Sequence, residues 1–275
     1  MAQSLIVSEL ALVLCVAAAW FLGGRIARAR PSQDNEGGGA HLTDSVAFVG
    51  GAFGLILGLL LVFSVQHFND AQNSARLETV NTVALFHAAN PYPEDQRAQL
   101  RRDVVCLMRS TETTDWEAAS SLDLTGSEDT SAWAARVQND VEALTVDTNA
   151  QKSNHFFLTQ DSLDLARNRQ LRLLFALPDI PLVVWLVIYV CSFVFTGLLV
   201  IHLWPRRRVS AISVTATTLI LIAVIGTLNM LDMPYVDIGG TADPVAMRAS
   251  LIQLEDAFPG PIWAPCEQLA PSVPH

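Results

Sequence analysis

Residues 44–66 read DSVAFVGGAFGLILGLLLVFSVQ, and the stretch 45–65 within them carries no charged side chain. At a rise of about 1.5 Å per residue, a helix of this length crosses a hydrocarbon core of about 30 Å. Gly50, Gly54 and Gly58 recur at four-residue intervals and therefore share one helix face. In lipid, a face of small residues lets another backbone approach closely. The stretch predicts a transmembrane helix that packs against protein.

The composition of the whole chain also indicates a membrane protein. Of its 275 residues, 51% are hydrophobic and 16% are charged, whereas soluble domains carry about 25% charged residues. Three further runs with few or no charges are long enough to cross a bilayer: 4–24, 181–204 and 209–231. The first lacks the basic region that precedes the apolar core of a secretory signal, which favours a retained helix. We therefore expect an all-α membrane protein with four transmembrane helices, two before and two after an inserted helical bundle.

This pattern divides the chain into four segments. Residues 1–66 hold spans one and two with a short basic loop, 67–178 a helical bundle continuous with spans two and three, 179–231 spans three and four, and 232–275 a polar tail with a short helix. Asp243-Pro244 has the N-cap-plus-proline pattern of a helix start, and that tail helix is expected to end near Phe258.

Inside the bundle, apolar side chains recur at helical spacing. The second span is expected to continue as a helix until Pro91 stops it. Further helices are predicted over 94–110, 129–146 and 153–177, with 111–126 as a loop containing a short helical turn near Trp116. The predicted core-facing positions are Leu77, Val80, Val83 and Ala84, then Leu100, Val104 and Leu107, then Trp133, Val137, Val141 and Leu144.

Arginines next to the short loops predict the orientation in the cytoplasmic (inner) membrane of the cell. Arg25, Arg28 and Arg30 follow the first span, before a polar stretch 31–40 expected to be a disordered turn, and 206–208 are three arginines between spans three and four. Because basic short loops stay in the cytoplasm, the bundle is expected on the external side. The arginines that precede the third span weaken this bias.

Cys106 and Cys266 lie in the two segments assigned to that external side. In an oxidising compartment they are a candidate disulfide pair that ties the tail to the bundle. The alternative is two free thiols in a reducing cytoplasm, and the sequence leaves both open.

The chain carries no pattern typical of an enzyme. HExxH, CxxC, GxSxG and Walker-type glycine loops are all absent, so no catalytic residue, cofactor or metal site is expected. A net charge of −10 leaves no basic stripe to neutralise phosphates, which excludes a general nucleic-acid binder.

Short motifs spread over most of the chain resemble one family. They are Phe68-Asn69-Asp70-Ala71, Ala75-Arg76-Leu77-Glu78 and Asn81 after the second span, Leu177-Pro178 with Trp185 before the third, and Leu231-Asp232-Met233-Pro234-Tyr235 with Pro244 and Arg248 in the tail. Together they resemble the bacterial bestrophin-like four-span membrane proteins, a family without a characterised function. Bestrophins themselves are pentameric ion channels whose second span lines the pore.

The resemblance implies a homo-oligomer, a pentamer, in the lipid bilayer, with ions passing along span two. Gly50, Gly54 and Gly58 would then pack on neighbouring helices, and Phe48, Phe53 and Phe63 are candidate constriction residues, since hydrophobic narrowings gate by dewetting. One departure is that bestrophins hold the helical bundle in the cytoplasm, whereas the arginine bias here favours the outside.

Three acidic residues near the expected membrane boundary are candidate vestibule charges. Asp70, Glu78 and Asp232 would concentrate cations at a pore mouth, although acidic surface is also the ordinary solvation of an acidic protein. A second function stays open because span two has no polar residue besides Ser45 and Ser64. It is a non-conducting membrane sensor, binding protein or scaffold that uses the helical bundle.

Overall fold

The computed structural model describes residues 2–29, 36–203, 207–236 and 242–266. Within these ranges the regular secondary structure is entirely helical, as predicted. Its α-helices are α1 (Ala2–Ala29), α2 (Glu36–Ala88), α3 (Glu94–Ser110), α4 (Trp116–Ser121), α5 (Glu128–Ala143), α6 (Asn149–Phe175), α7 (Leu182–Leu203), α8 (Arg207–Asp232) and α9 (Val245–Ala257).

Three segments of the described helices are long and apolar enough to cross a bilayer. They are Thr43–Ala88 in α2, Leu182–Leu203 in α7 and Ala211–Asp232 in α8, and α1 contributes a shorter apolar segment, Val16–Ile26. Most side chains of α1 before residue 13 lie outside the described part of the structure. The structure thus supports a helical membrane protein with three candidate spans, and the two-plus-two arrangement of four stays a prediction.

The chain divides into two compact units. The first, unit 1, comprises residues up to His67 together with Pro178–Asp232. Its core joins one face of α2 to α7 and α8 through six buried side chains: Phe53, Leu57, Ile188, Leu221, Ile225 and Leu228. Apolar contact between these three helices defines which face of α2 is inward.

The second unit, unit 2, comprises Phe68–Leu177 and the chain from Met233 onward. Its core contains side chains from five helices: Leu85 and Phe86 of α2, Leu100, Val104 and Leu107 of α3, Trp133, Val137 and Val141 of α5, Leu158 and Leu165 of α6, and Met247, Leu251 and Leu254 of α9. The predicted core positions of α3 and α5 are confirmed. The prediction for α2 was wrong at Leu77 and Val80, which are 40% and 59% exposed, because the inward face there carries Glu78 and Thr82.

The predicted loop 111–126 is largely helical. Thr111–Asp115 forms one turn of π-helix, α4 follows at once, and Leu124–Ser127 is a 3₁₀-helix. The hydroxyls of Thr113 and Thr114 donate to the carbonyl oxygens of Arg109 and Ser110, four residues earlier. Threonines that bond back in this way remain in helical conformation, so a threonine-rich composition here does not mark a loop.

Two further boundaries differ from the predictions. The stretch 31–40 is helical from Glu36 onward, while residues 30–35, including Arg30, lie outside the described residues, as does Arg206. The predicted N-cap of the tail helix, Asp243, is not the cap. α9 has Pro244 in that position, with no side-chain hydrogen bond to its first turn.

Candidate functional site

α2 has one face that packs within unit 1 and an opposite face that no described helix of the chain covers. Phe53 is 4% exposed and packs against Phe195 of α7, with ring centroids 6.4 Å apart. Phe48, Leu59 and Phe63 are 77%, 51% and 63% exposed. We call this uncovered side of α2 the free face. The predicted constriction residues Phe48 and Phe63 lie on it, whereas the third, Phe53, belongs to the core.

The glycine ladder of α2 is divided between two environments. A Cβ atom on Gly50 would lie 2.7 Å from Cε2 of Phe195, so Gly50 permits the close approach of α7 within the chain. A Cβ atom on Gly54 or Gly58 would have no neighbour within 4 Å. Gly50 therefore makes room for the ring of Phe195, and the other two glycines form an open flank beside the free face.

The three predicted vestibule charges lie in different settings. Asp70 is exposed and lines a cavity of about 460 Å³ together with Asn73, Asp164 and Arg167, among others. Asp232 is 3% exposed, and its Oδ1 atom accepts hydrogen bonds from the backbone N–H groups of Asp179 and Ile180, at 2.9 and 3.0 Å. Only Asp70 has a side chain that faces solvent.

Glu78 lies in a buried network of ion pairs in unit 2. Nε of Arg172 donates to Oε2 of Glu78 at 2.5 Å, and Nη2 donates to Oε1 at 3.2 Å. Nη2 also donates to Oδ2 of Asp115, whose Oδ1 accepts from Arg169 at 2.9 Å. Arg172, Glu78 and Asp115 are each at most 1% exposed, so this network is part of the core.

Two aromatic side chains, Trp116 and Tyr235, also pack against this network. The guanidinium of Arg172 lies 5.4 Å from the ring centroid of Trp116, and Tyr235 packs edge-on against the same indole at 5.1 Å. Burial alone would lower the pKa of Arg172, but Glu78 and Asp115 outweigh it and raise that pKa. Burial raises the pKa of Tyr235, so its hydroxyl stays protonated and donates to the carbonyl oxygen of Ala71 at 2.7 Å.

The C-terminal tail is joined covalently to α3. Cys106 and Cys266 form a disulfide with their Cα atoms 5.7 Å apart, which is the pairing that the sequence left open beside two free thiols. Nη1 of Arg109 donates to the carbonyl oxygens of Trp263 and Ala264, each at 3.2 Å. The tail is therefore fixed to α3 by both the bond and the arginine.

Sequence reasoning missed Arg172 and Asp115 as partners of Glu78. Periodicity locates apolar stripes, and Asp115 stood in a stretch that we expected to be a loop. One signal was present: an acidic residue, Glu78, falls within the bestrophin-like motif on an amphipathic part of α2. A buried acid requires a buried base, and the arginines of 153–177 were the available partners.

A family model and several solved structures relate the chain to known proteins. A family model described as Bestrophin-like domain matches residues 10–238. Two point variants of a bacterial bestrophin homologue from Klebsiella pneumoniae superpose at TM-scores of 0.65 and 0.67 with 14% identity, over 93% and 92% of this chain and 98% of theirs. A variant described as a membrane protein gives a TM-score of 0.67 at 14% identity, over 90% of this chain and 97% of its own. No curated protein gave a match. At this identity the structural likeness shows the fold.

The network predicts a severe effect for Arg172→Met. The substitution leaves the carboxylate of Glu78 buried without a cation and leaves Asp115 paired with Arg169 alone, so the free energy of unfolding of unit 2 should fall by about 3–5 kcal/mol. The urea midpoint of the purified protein, followed by tryptophan fluorescence, measures this. Arg248→Met is the matched control, because its pair with Glu112 is solvent-exposed and exposed pairs contribute little. Equal midpoints for the two variants would contradict the structural role of the network.

Proposed function

The chain belongs to the Bestrophin-like family, and from that premise we propose that it forms a homo-oligomeric ion channel in which α2 lines the pore. The proposal includes four spans, with α1 as the first, and a pentameric ring. The observation that supports it most is the free face of α2. A helix of 53 residues, about 80 Å long, keeps large apolar side chains uncovered on the side opposite its own core.

The chemistry of the free face suits a hydrophobic constriction. Leu59 and Phe63 are one helical turn apart and therefore lie on the same side of α2. The polar residues of the membrane-length stretch 45–65 are Ser45 and Ser64, and the exposed Ser45 lies about five helical turns before Phe63 on the same side of α2. Ser64 itself is buried, at 5% exposure. A passage lined in this way would be closed by dewetting and opened by a small increase in radius.

The open flank supports assembly with further copies. Gly54 and Gly58 lie on α2 between the core face and the free face, with empty space beside each. In a closed ring, each subunit contacts the next through a surface adjacent to the axis-facing one. Small residues in that position let a neighbouring helix approach closely, as is usual in lipid.

Asp70, which lines a cavity with Asp164 and Arg167 of α6, is the predicted vestibule charge that the proposal keeps. It follows Phe63 by two helical turns and so lies on nearly the same side of α2. A ring of such exposed carboxylates would raise the local concentration of cations at one pore mouth. Glu78 and Asp232 have no such role in the proposal, because their carboxylates are buried and hydrogen-bonded within the protein.

Two observations support an external location for unit 2, in the cytoplasmic membrane. Arg25 and Arg28 are at the C-terminal end of α1, and basic short loops are retained in the cytoplasm. The disulfide between Cys106 and Cys266 requires an oxidising compartment to persist. Both favour the external side of the membrane for unit 2.

The second function is a non-conducting membrane sensor or scaffold. It is favoured by the scarcity of polar groups on the free face, since an ion that crosses a wholly apolar passage loses its hydration shell without replacement. Under this function the free face would contact lipid, and the chain would not need to form a ring.

Conductance distinguishes these two functions. In planar bilayers, the purified protein should pass current, and Phe63→Ala or Leu59→Ser should raise its conductance or open probability several-fold, because each change weakens the hydrophobic constriction. Leu219→Ala, an exposed apolar position of α8 outside the proposed pore, is the control and should leave the currents unchanged. Absence of current from the wild type and from both α2 variants would favour the non-conducting function.

Assembly can be tested on the open glycines. Native mass spectrometry in detergent should give a pentamer for the wild type, and Gly54→Leu or Gly58→Leu should shift it toward folded monomers, because the added side chains keep the neighbouring helix away. Gly197→Leu, an open-sided glycine of α7, should keep the pentamer. A wild-type monomer, or a pentamer unaffected by either α2 substitution, argues against this interface.

Thiol labelling can determine which side of the membrane carries unit 2. In a chain with Cys15→Ser and Cys191→Ser, the further change Cys106→Ser leaves Cys266 as a single free thiol. A membrane-impermeant maleimide should label it in intact spheroplasts, because unit 2 is proposed to lie outside. Labelling only after the membrane is permeabilised would reverse the proposed topology.

A further inference from the structure

Two acidic side chains of unit 2, Asp103 on α3 and Asp140 on α5, lie where these two helices pack together. Nε of Arg136 is 2.8 Å from Oδ2 of Asp103, and Asp140 follows Arg136 by four residues, on the same face of α5. Gln99 donates to the same Oδ2 atom at 2.9 Å and borders, together with Asp140, a cavity of about 250 Å³. The two carboxyl groups are therefore neighbours across the contact between α3 and α5.

One oxygen atom of each carboxyl group lacks a hydrogen-bond donor. Both donors to Asp103 reach its Oδ2 atom, whereas Oδ1 of Asp103 and Oδ2 of Asp140 are buried and have no partner in the described part of the chain. Two ionised carboxylates offer only acceptors and cannot satisfy each other, and a buried acceptor without a donor is unfavourable. A proton on one of the two groups turns that group into a donor and supplies the missing hydrogen bond.

The charges around Asp140 also favour the protonated form. Burial, a hydrogen bond with the carboxyl group of Asp103 and the negative charge of that group raise the pKa of Asp140 to about 7, and Arg136 opposes the shift. Asp95 of α3 is exposed and borders the same cavity, so it adds negative charge nearby. Glu142, one turn from Gln138 on α5, bonds that side chain in solvent.

α6, the π-helical turn and the 3₁₀-helix also pack against α5. Arg169 of α6 pairs with Asp115 of the π-helical turn at 2.9 Å and donates to Ser131 of α5 at 3.1 Å, about two and a half turns before Asp140. The 3₁₀-helix Leu124–Ser127 contains no titratable side chain. Among the described residues, no group of three or more acidic, histidine or cysteine side chains is arranged to hold a metal ion. The ligand that fits the pair is therefore a proton.

We propose that Asp103 and Asp140 form a proton-sharing pair that holds the C-terminal part of α5 against α3 when it carries one proton and loosens this contact when the proton is lost. Two ionised carboxylates then face each other and repel. The cavity beside Asp140, which is partly exposed, lets the pair exchange its proton with water. The pair lies wholly within unit 2, so it does not depend on conduction or on oligomeric state.

The sign of the pH effect follows from the raised pKa of Asp140. Between the ordinary aspartate pKa of about 4 and about 7, the folded chain holds a proton that the unfolded chain has lost. The stability that this proton contributes is fully present below about pH 4 and is lost as the pH rises through about 7.

Asp140→Asn tests the proposal on the full-length protein in detergent, because an amide donates to Asp103 at every pH. The melting temperature of the variant should be close to that of the wild type near pH 4 and higher by several degrees at about pH 8. Glu142→Gln removes an exposed carboxylate from the same helix and is the matched control, whose difference from the wild type should not change with pH. A difference for Asp140→Asn that does not grow with pH, or a variant that melts below the wild type at about pH 8, would overturn the proposal.

Arg136→Gln gives an independent check on the titration itself. Arg136 lowers the pKa of Asp140, so its removal should move the titration to higher pH. The infrared C=O band of the protonated carboxyl group measures this. The component that disappears in Asp140→Asn should titrate near pH 7 in the wild type and at higher pH in Arg136→Gln. An unchanged midpoint in Arg136→Gln, or an ordinary aspartate midpoint in the wild type, would contradict the proton-sharing pair.

Hydrogen exchange locates the loosened contact. At about pH 8 the backbone amides of 138–146 should exchange several-fold faster in the wild type than in Asp140→Asn, whereas near pH 4 the two should exchange alike. Comparison at a single pH cancels the intrinsic pH dependence of exchange. Equal rates in this segment at about pH 8 would show that loss of the proton does not loosen α5, which would overturn the proposal.

Discussion

Arg172 is fully buried in unit 2, and a guanidinium there is compatible with folding only because two carboxylates neutralise it. Those carboxylates come from separate parts of the chain: Glu78 is on α2, and Asp115 ends the π-helical turn after α3. The network thereby fixes α6, α2 and the π-helical turn at once. Tyr235 joins it through Trp116, so the start of the C-terminal tail also depends on the same charge.

In each unit, contacts within that unit turn one side of α2 inward. The side that carries Glu78 is inward in unit 2, and in unit 1 the side that carries Phe53 and Leu57 is inward while Phe48 and Phe63 are exposed. A helix that is held along one side by its own chain presents the other side in a fixed register. Phe48 and Phe63 are thereby presented in a register that neither of them fixes.

Sequence periodicity predicted those parts of the fold in which apolar contacts decide the structure. The bounds of α3, 94–110, and the core positions of α5 agree with the structure. Periodicity failed where polar interactions determine the structure. It missed the helical turn that ends at Asp115, and on α2 it predicted Leu77 to be buried where Glu78 is buried instead. The sequence also could not predict that Gly50 is packed and Gly54 is open, because this difference depends on the position of the Phe195 ring.

The C-terminal tail shows how a helix end can remain chemically available. Tyr235 holds the start of the tail through the carbonyl oxygen of Ala71, and Cys266 holds its other end through Cys106. With both ends fixed and Leu251 in the core, α9 does not need a capping side chain to keep its place. The N–H groups of its first turn consequently have no side-chain acceptor and no acceptor within the helix.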